Sequence, residues 1–113
     1  MHEFSIMESA LSMASEQARQ AGAKKVCLLR LRVGVLSGAV PEALQFAFEA
    51  LSPGTLMEGA ELGIEAVPAR FYCRNCSAEF TAKLMYSECP TCQQASGDIR
   101  AGRELELASM EIE

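Results

Sequence analysis

Apolar positions recur at helical spacing near the start of the chain and switch to alternation soon after. Ile6, Met7, Ala10, Leu11, Ala14 and Ala18 share one helical stripe. Ser5 and Glu8 have the spacing of a capping box, so this helix is expected to begin at Ser5, with residues 1–4 outside it and Gly22 as its stop. In KKVCLLRLRVGVL the positions Cys27, Leu29, Leu31, Val33 and Val35 are apolar, while Arg30 and Arg32 take the other face of a strand. PEALQFAFEAL predicts a second helix, with Pro41 and Glu42 suited to its first turn and Leu44, Ala47, Phe48 and Leu51 as its buried stripe. ELGIEAVP reads as a strand burying Leu62, Ile64 and Ala66. The final RELELASMEIE also alternates, but Leu105 and Leu107 are out of phase with Met110 and Ile112. A bulge near Ala108–Ser109 would bring all four to one side.

Between the last two strands lies FYCRNCSAEFTAKLMYSECPTCQ, with Cys73-x-x-Cys76 and Cys89-x-x-Cys92 separated by twelve residues. Each pair on a tight turn presents two thiolates to one ion, and two such knuckles complete a tetrahedron. AEFTAKLMY between them can supply the strands of a ribbon. Two redox pairs would be the competing reading, but no thioredoxin-like βαβ context surrounds them. Zinc is favoured over iron, although ligand type alone does not decide between them; a rubredoxin-like electron carrier is the alternative, but Ser77 and Gln93 follow the second cysteine of each pair, where such knuckles usually carry glycine. Four protein ligands leave no open position for catalytic water, so the role is structural. The fifth thiol, Cys27, falls on the apolar face of a strand and reads as a buried, unreactive cysteine.

Together these elements predict an α+β fold: a small mixed three-stranded sheet with two helices, plus an inserted zinc-ribbon lobe. Residues 1–69 with 101–113 would form the α/β domain, and residues 70–100 the zinc-ribbon domain.

Charge and composition narrow the function. The net charge is −5, yet the stretch from Arg70 to Arg103 carries five basic and three acidic residues. That surplus of two is a weak footprint for phosphate backbones. No apolar run approaches the roughly 20 residues of a membrane span. Glu3 and Glu8 occupy the place of a basic signal-peptide n-region, so a cytoplasmic location is expected. A zinc-ribbon protein- or nucleic-acid-binding module is the main alternative function; Phe71, Tyr72, Phe80 and Tyr86 could stack on bases, although at such spacings they more often fill a core. An enzyme is disfavoured. His2 is the only histidine, so no catalytic Ser/His or Cys/His pair can form in a rigid site, and no Gly-rich phosphate loop follows a strand.

That lone histidine sits beside the chain start. On its own, a terminal histidine is most often an exposed residue of no consequence. Coordination chemistry offers another use: the amide nitrogens of His2 and Glu3, the imidazole and the terminal amine can occupy a plane around a metal. A square plane of nitrogens suits Ni(II) or Cu(II), not zinc.

Met1-His2-Glu3, RVGVLSG, PEALQFAFE and the paired CxxC knuckles together resemble the HypA (HybF-like) hydrogenase maturation proteins over essentially the whole chain. The resemblance implies a nickel metallochaperone that binds transferable Ni(II) at His2 and Glu3, the latter largely through its backbone amide. It implies a structural Zn(II) on Cys73, Cys76, Cys89 and Cys92. The expected partners are a HypB-like GTPase and the large subunit of [NiFe] hydrogenase; a homodimer is left open. Some relatives carry an aspartate just before the second helix that can approach the nickel. Here Val40 takes that slot, and Glu42 is the nearest carboxylate.

Overall fold

The computed structural model describes residues 2–82 and 87–113. Met1, whose amine was a candidate nickel donor, and residues 83–86, which include Tyr86 and part of the expected ribbon strands, lie outside the described residues. Two compact units are present. One contains Met1–Arg32, Ala39–Glu65 and Glu106–Glu113; the other contains Val33–Gly38 and Ala66–Leu105.

The first unit holds both helices, α1 (Glu3–Gln20) and α2 (Pro41–Leu51). Helix α1 buries Met7, Leu11, Ala14 and Ala18, as its periodicity predicts, and ends in a Schellman turn. The Ala23 amide bonds to the Ala18 carbonyl, the Gly22 amide to that of Arg19, and Gly22 takes a φ of 76°. Its start differs from expectation. His2 is the N-cap, no side chain caps the helix, and Ser5 lies inside the first turn rather than before it. The physical reason is tertiary. Phe4 packs edge-on against Phe46 of α2, with ring centroids 6.0 Å apart, and Glu3 bonds to the residue preceding α2. These contacts extend the helix three residues past its local signal, moving the N-cap from Ser5 to His2. Helix α2 buries Leu44, Ala47 and Phe48.

A three-stranded sheet runs in the order β2 (Glu61–Val67), β1 (Val26–Gly34), β8 (Leu105–Ile112). Gly63 neighbours Leu29, and the Val35 amide donates to the Val67 carbonyl, so β1 and β2 run parallel across the α2 connection. The Glu113 amide donates to the Lys25 carbonyl and the Gly34 amide to that of Glu104, so β8 is antiparallel to β1 and the sheet is mixed. Central β1 buries Leu29, Leu31 and Val33. Its outer face carries Arg32, bracketed by Glu65 at 3.4 Å and Glu106 at 2.9 Å from the strands on either side.

Edge positions bury less than alternation suggested. Leu62 and Ile64 of β2 are only half-buried and Ala66 is exposed, because an edge strand has a neighbour on one side alone. Val35 and Ile112 are likewise exposed. Burial along β8 changes phase between Leu107 and Ala108, next to the break in the sequence pattern. Cys27 is half-buried, its thiol 3.4 Å from the Glu113 carboxylate rather than in the core.

The second unit pairs β4 (Ala78–Ala82), β3 (Ala69–Cys73) and β7 (Ile99–Ala101), with a short ladder of β5 (Ser87–Glu88) and β6 (Ala95–Ser96). In the antiparallel β3–β4 register Phe71 faces Phe80, and the two rings stack at 5.7 Å. Those aromatics, with Ala69, Cys73 and Cys89, are the buried core of this unit. Phe71 and Phe80 are therefore consumed in packing and offer no stacking face to a base. The loop Val33–Gly38 joins this unit through the Gly34 and Leu36 amides, which donate to the Glu104 and Gly102 carbonyls. The approach is so close that a Cβ on Gly34 would lie 2.0 Å from the Gly102 carbonyl oxygen.

Candidate metal centre

Each CxxC pair sits at the turn of a hairpin. Cys73 ends β3 and pairs with Ala78 at the start of β4, which leaves Cys76 in the turn. Cys89 and Cys92 lie between β5 and β6, closed by the Cys89 amide bonding to the Gln94 carbonyl. Turning the chain in so few residues demands left-handed backbone, found at Ser77 (φ 53°) and Gln93 (φ 62°). These are the two non-glycine residues that the sequence places where glycine is usual. The second hairpin is tied to the first by the Ser96 hydroxyl, which donates to the Tyr72 carbonyl at 2.6 Å.

The result brings all four sulfurs within 4.8 Å of one another. Cys73 and Cys92 sulfurs are 3.6 Å apart, and those of Cys76 and Cys89 are 3.9 Å apart. A tetrahedral ion with metal–sulfur bonds of about 2.3 Å requires edges of about 3.8 Å. All four cysteines are free thiols. Cys73 and Cys89 are buried, and the other two are half-buried.

The knuckle backbone favours thiolate. Amides of Cys92 and Thr91 hold the Cys89 thiol below its ordinary range. The Gln94 amide, helped by the Asn75 side chain, lowers that of Cys92 to about 6. Cys76 moves the other way, to about 12, because it shares a proton with Cys92 and is desolvated. The donor set thus fits a soft divalent ion in a closed tetrahedron, with no coordination position left for water or substrate.

The second candidate set lies at the start of α1. His2 is exposed at the N-cap, and its carbonyl accepts the first helical bond, from the Ile6 amide at 3.1 Å. The Glu3, Phe4 and Ser5 amides consequently have no acceptor inside the helix. The Glu3 carboxylate accepts the Val40 amide at 3.0 Å, a bond that holds its pKa below the usual range. Local sequence reasoning missed this contact, which spans 37 positions; the absence of a polar N-cap on α2 was its only trace. The Val40 slot therefore adjoins the His2–Glu3 segment, although valine brings no donor side chain.

A family model described as hydrogenase/urease nickel incorporation, metallochaperone, HypA matches residues 1–112. The chain belongs to the HypA family. Its similarity to the hydrogenase maturation factor HypA of Picosynechococcus sp. is 46% identity over 99% of both chains. The corresponding factor of Desulfitobacterium hafniense is 43% identical over 100% of this chain and 99% of its own. Among solved structures, the solution structure of the Ni metallochaperone HypA from Helicobacter pylori superposes with a TM-score of 0.67, at 26% identity, covering 99% of this chain and 97% of that one. A second HypA solution structure gives 0.71 at 27% identity, covering 99% and 96%. HypA is a family of nickel metallochaperones and maturation factors, and the four-cysteine cluster here is consistent with its zinc ribbon. No helix among the described residues is long and apolar enough to cross a membrane.

Proposed function

We propose that this HypA-family chain carries Ni(II) at its Met1-His2-Glu3 terminus and delivers it, with a HypB-like GTPase, to the large subunit of [NiFe] hydrogenase in the cytoplasm. The observation that carries the reading is an exposed imidazole at the N-cap of α1, followed by an amide with no acceptor in the helix. The Glu3 amide can lose its proton to nickel without breaking a helical hydrogen bond, and the His2 ring and amide complete a nitrogen-rich donor set. Amide deprotonation makes binding pH-dependent, so nickel is taken up as pH rises and released as it falls. Nitrogen donors at a chain end also suit handover, since they can be exchanged one at a time.

Cys73, Cys76, Cys89 and Cys92 would hold Zn(II) in a purely structural role, because the sulfur tetrahedron is complete without a further ligand. Zinc there fixes a unit whose own core is only a handful of side chains. The sequence holds no phosphate-binding loop, which supports a reading in which the partner hydrolyses GTP.

The test is nickel titration of untagged, zinc-loaded protein, followed by isothermal calorimetry and electronic absorption. His2→Ala is expected to abolish high-affinity Ni(II) binding while retaining zinc. An N-terminal extension should do the same by converting the terminal amine to an amide. Wild-type nickel affinity in His2→Ala, or added nickel bound among the thiolates, would refute the assignment.

A further inference from the structure

The first turn of α2 has an unusual supply of hydrogen bonds. In a capping box, the N-cap residue's own amide is satisfied by a Glu or Gln side chain at the third helical position. Here the N-cap is Val40, followed by Pro41, Glu42 and Ala43. Alanine at the third position has no acceptor, proline has no N–H, and valine has no polar group with which to return a bond. The missing carboxylate comes from elsewhere: the Glu3 carboxylate accepts the Val40 amide at 3.0 Å across 37 positions. Glu3 is itself the first residue of α1, directly after His2. One side chain therefore caps α2 while its main chain forms part of the terminal His2–Glu3 segment.

We infer that Glu3 is a positioning residue for nickel: its carboxylate anchors the His2–Glu3 main chain to the N-terminus of α2 and is not itself a ligand. The inference rests on the nickel site proposed above and specifies what its third residue does. A carboxylate engaged with a backbone amide and lying over the positive end of a helix is well placed where it is. Moving it onto a metal would exchange this bond to the Val40 amide for one to water. Holding the segment against α2 restricts its main chain before the ion arrives, which lowers the ordering cost of binding. Phe4, the next residue, reinforces the same alignment through its edge-on contact with Phe46. Because Val40 brings no donor side chain, the neighbourhood of α2 acts through this bond rather than through coordination.

The experiment compares Glu3→Ala, Glu3→Gln and Val40→Pro with wild type in untagged, zinc-loaded protein. Val40→Pro removes the donor N–H at a position whose backbone (φ −94°, ψ 119°) is extended, with a shift of φ toward about −65° and a restriction on Ala39 as its side effects. Nickel affinity should fall on the order of tenfold in Glu3→Ala. Glu3→Gln, which keeps an acceptor oxygen, should recover most of that loss. Val40→Pro should match Glu3→Ala, and the double variant should lose no more than either alone. At saturating nickel, the Glu3→Ala absorption spectrum should equal that of wild type, since no ligand is gone. The Val40 amide resonance in wild-type protein should move upfield in Glu3→Ala without metal present.

A changed nickel spectrum in Glu3→Ala would make the carboxylate a ligand and overturn the inference, and no recovery in Glu3→Gln would overturn the hydrogen bond as the anchor. Unchanged affinity in Glu3→Ala would overturn it as well. His2→Ala separates the two levels: if it loses nickel while Glu3→Ala does not, only the positioning role fails. If His2→Ala binds nickel normally, the nickel site itself is misassigned.

Discussion

Phe71 is a sensitive probe of the metal-bearing unit because it touches the site without being a ligand. Its side chain is fully buried, stacked on Phe80, and belongs to the same small core as Cys73 and Cys89. Replacing it with alanine removes a whole ring from that core and leaves its stacking partner without a face. Such truncations cost about 3–5 kcal/mol. A sulfur cage of this kind exists only when its unit is folded, so the loss transfers to metal affinity. At 1.4 kcal/mol per decade, apparent zinc binding should weaken by roughly 10² to 10³·⁵-fold, although all four thiols remain. Competition against a chelating dye at fixed pH measures this, with Co(II) absorption confirming four-thiolate coordination once metal is in excess. Phe46→Ala, which truncates an exposed ring of α2, is the control and should leave zinc affinity unchanged. If Phe71→Ala held zinc within threefold of wild type, the argument that core packing and metal binding are one cooperative event would be wrong.

Other substitutions test other parts of the fold. Gly34→Ala should destabilise the protein by about 2–4 kcal/mol in urea unfolding, because its Cβ meets the Gly102 carbonyl at 2.0 Å and backbone cannot rotate away as a side chain would. Ser77→Gly and Gln93→Gly should each be neutral or raise zinc-loaded stability by up to about 1 kcal/mol, since both positions have positive φ. Ser77→Val should instead destabilise; equal behaviour of Ser77→Gly and Ser77→Val would refute the backbone argument. The Cys27 thiol is pushed up first by its hydrogen bond to Glu113, then by burial. Its alkylation in zinc-loaded protein should therefore be slow at pH 8 and accelerate only above the ordinary thiol range. Glu113→Gln should lower that pKa and speed alkylation at pH 8, a change measurable by mass spectrometry.

The clustering of the four cysteines was legible in the chain. Paired CxxC spacing specifies two knuckles, because two residues between cysteines is a property of one turn. Helical stripes at Met7, Leu11, Ala14 and Ala18, and at Leu44, Ala47 and Phe48, were equally plain, since a period of 3.6 is local. The alternation in β1 identified Leu29, Leu31 and Val33 correctly. It overstated Val35, because a period of two reveals which face a residue takes and not how well that face is covered.

The cysteine knuckles, helix faces and strand faces were thus determined by short-range pattern, where neighbours within a turn or two decide the outcome. What required tertiary structure were events between distant segments. The true start of α1 depends on Phe46 and Val40, not on the Ser5–Glu8 signal. The half-burial of β2 follows from its place at the sheet edge, and the membership of Val33–Gly38 in the cysteine-bearing unit follows from a close glycine approach. Above all, the bond from Glu3 to Val40 joins two residues that no local period relates. Free energy gained by long-range packing overrides local propensities that are individually weak, and only the folded chain reveals where it does so.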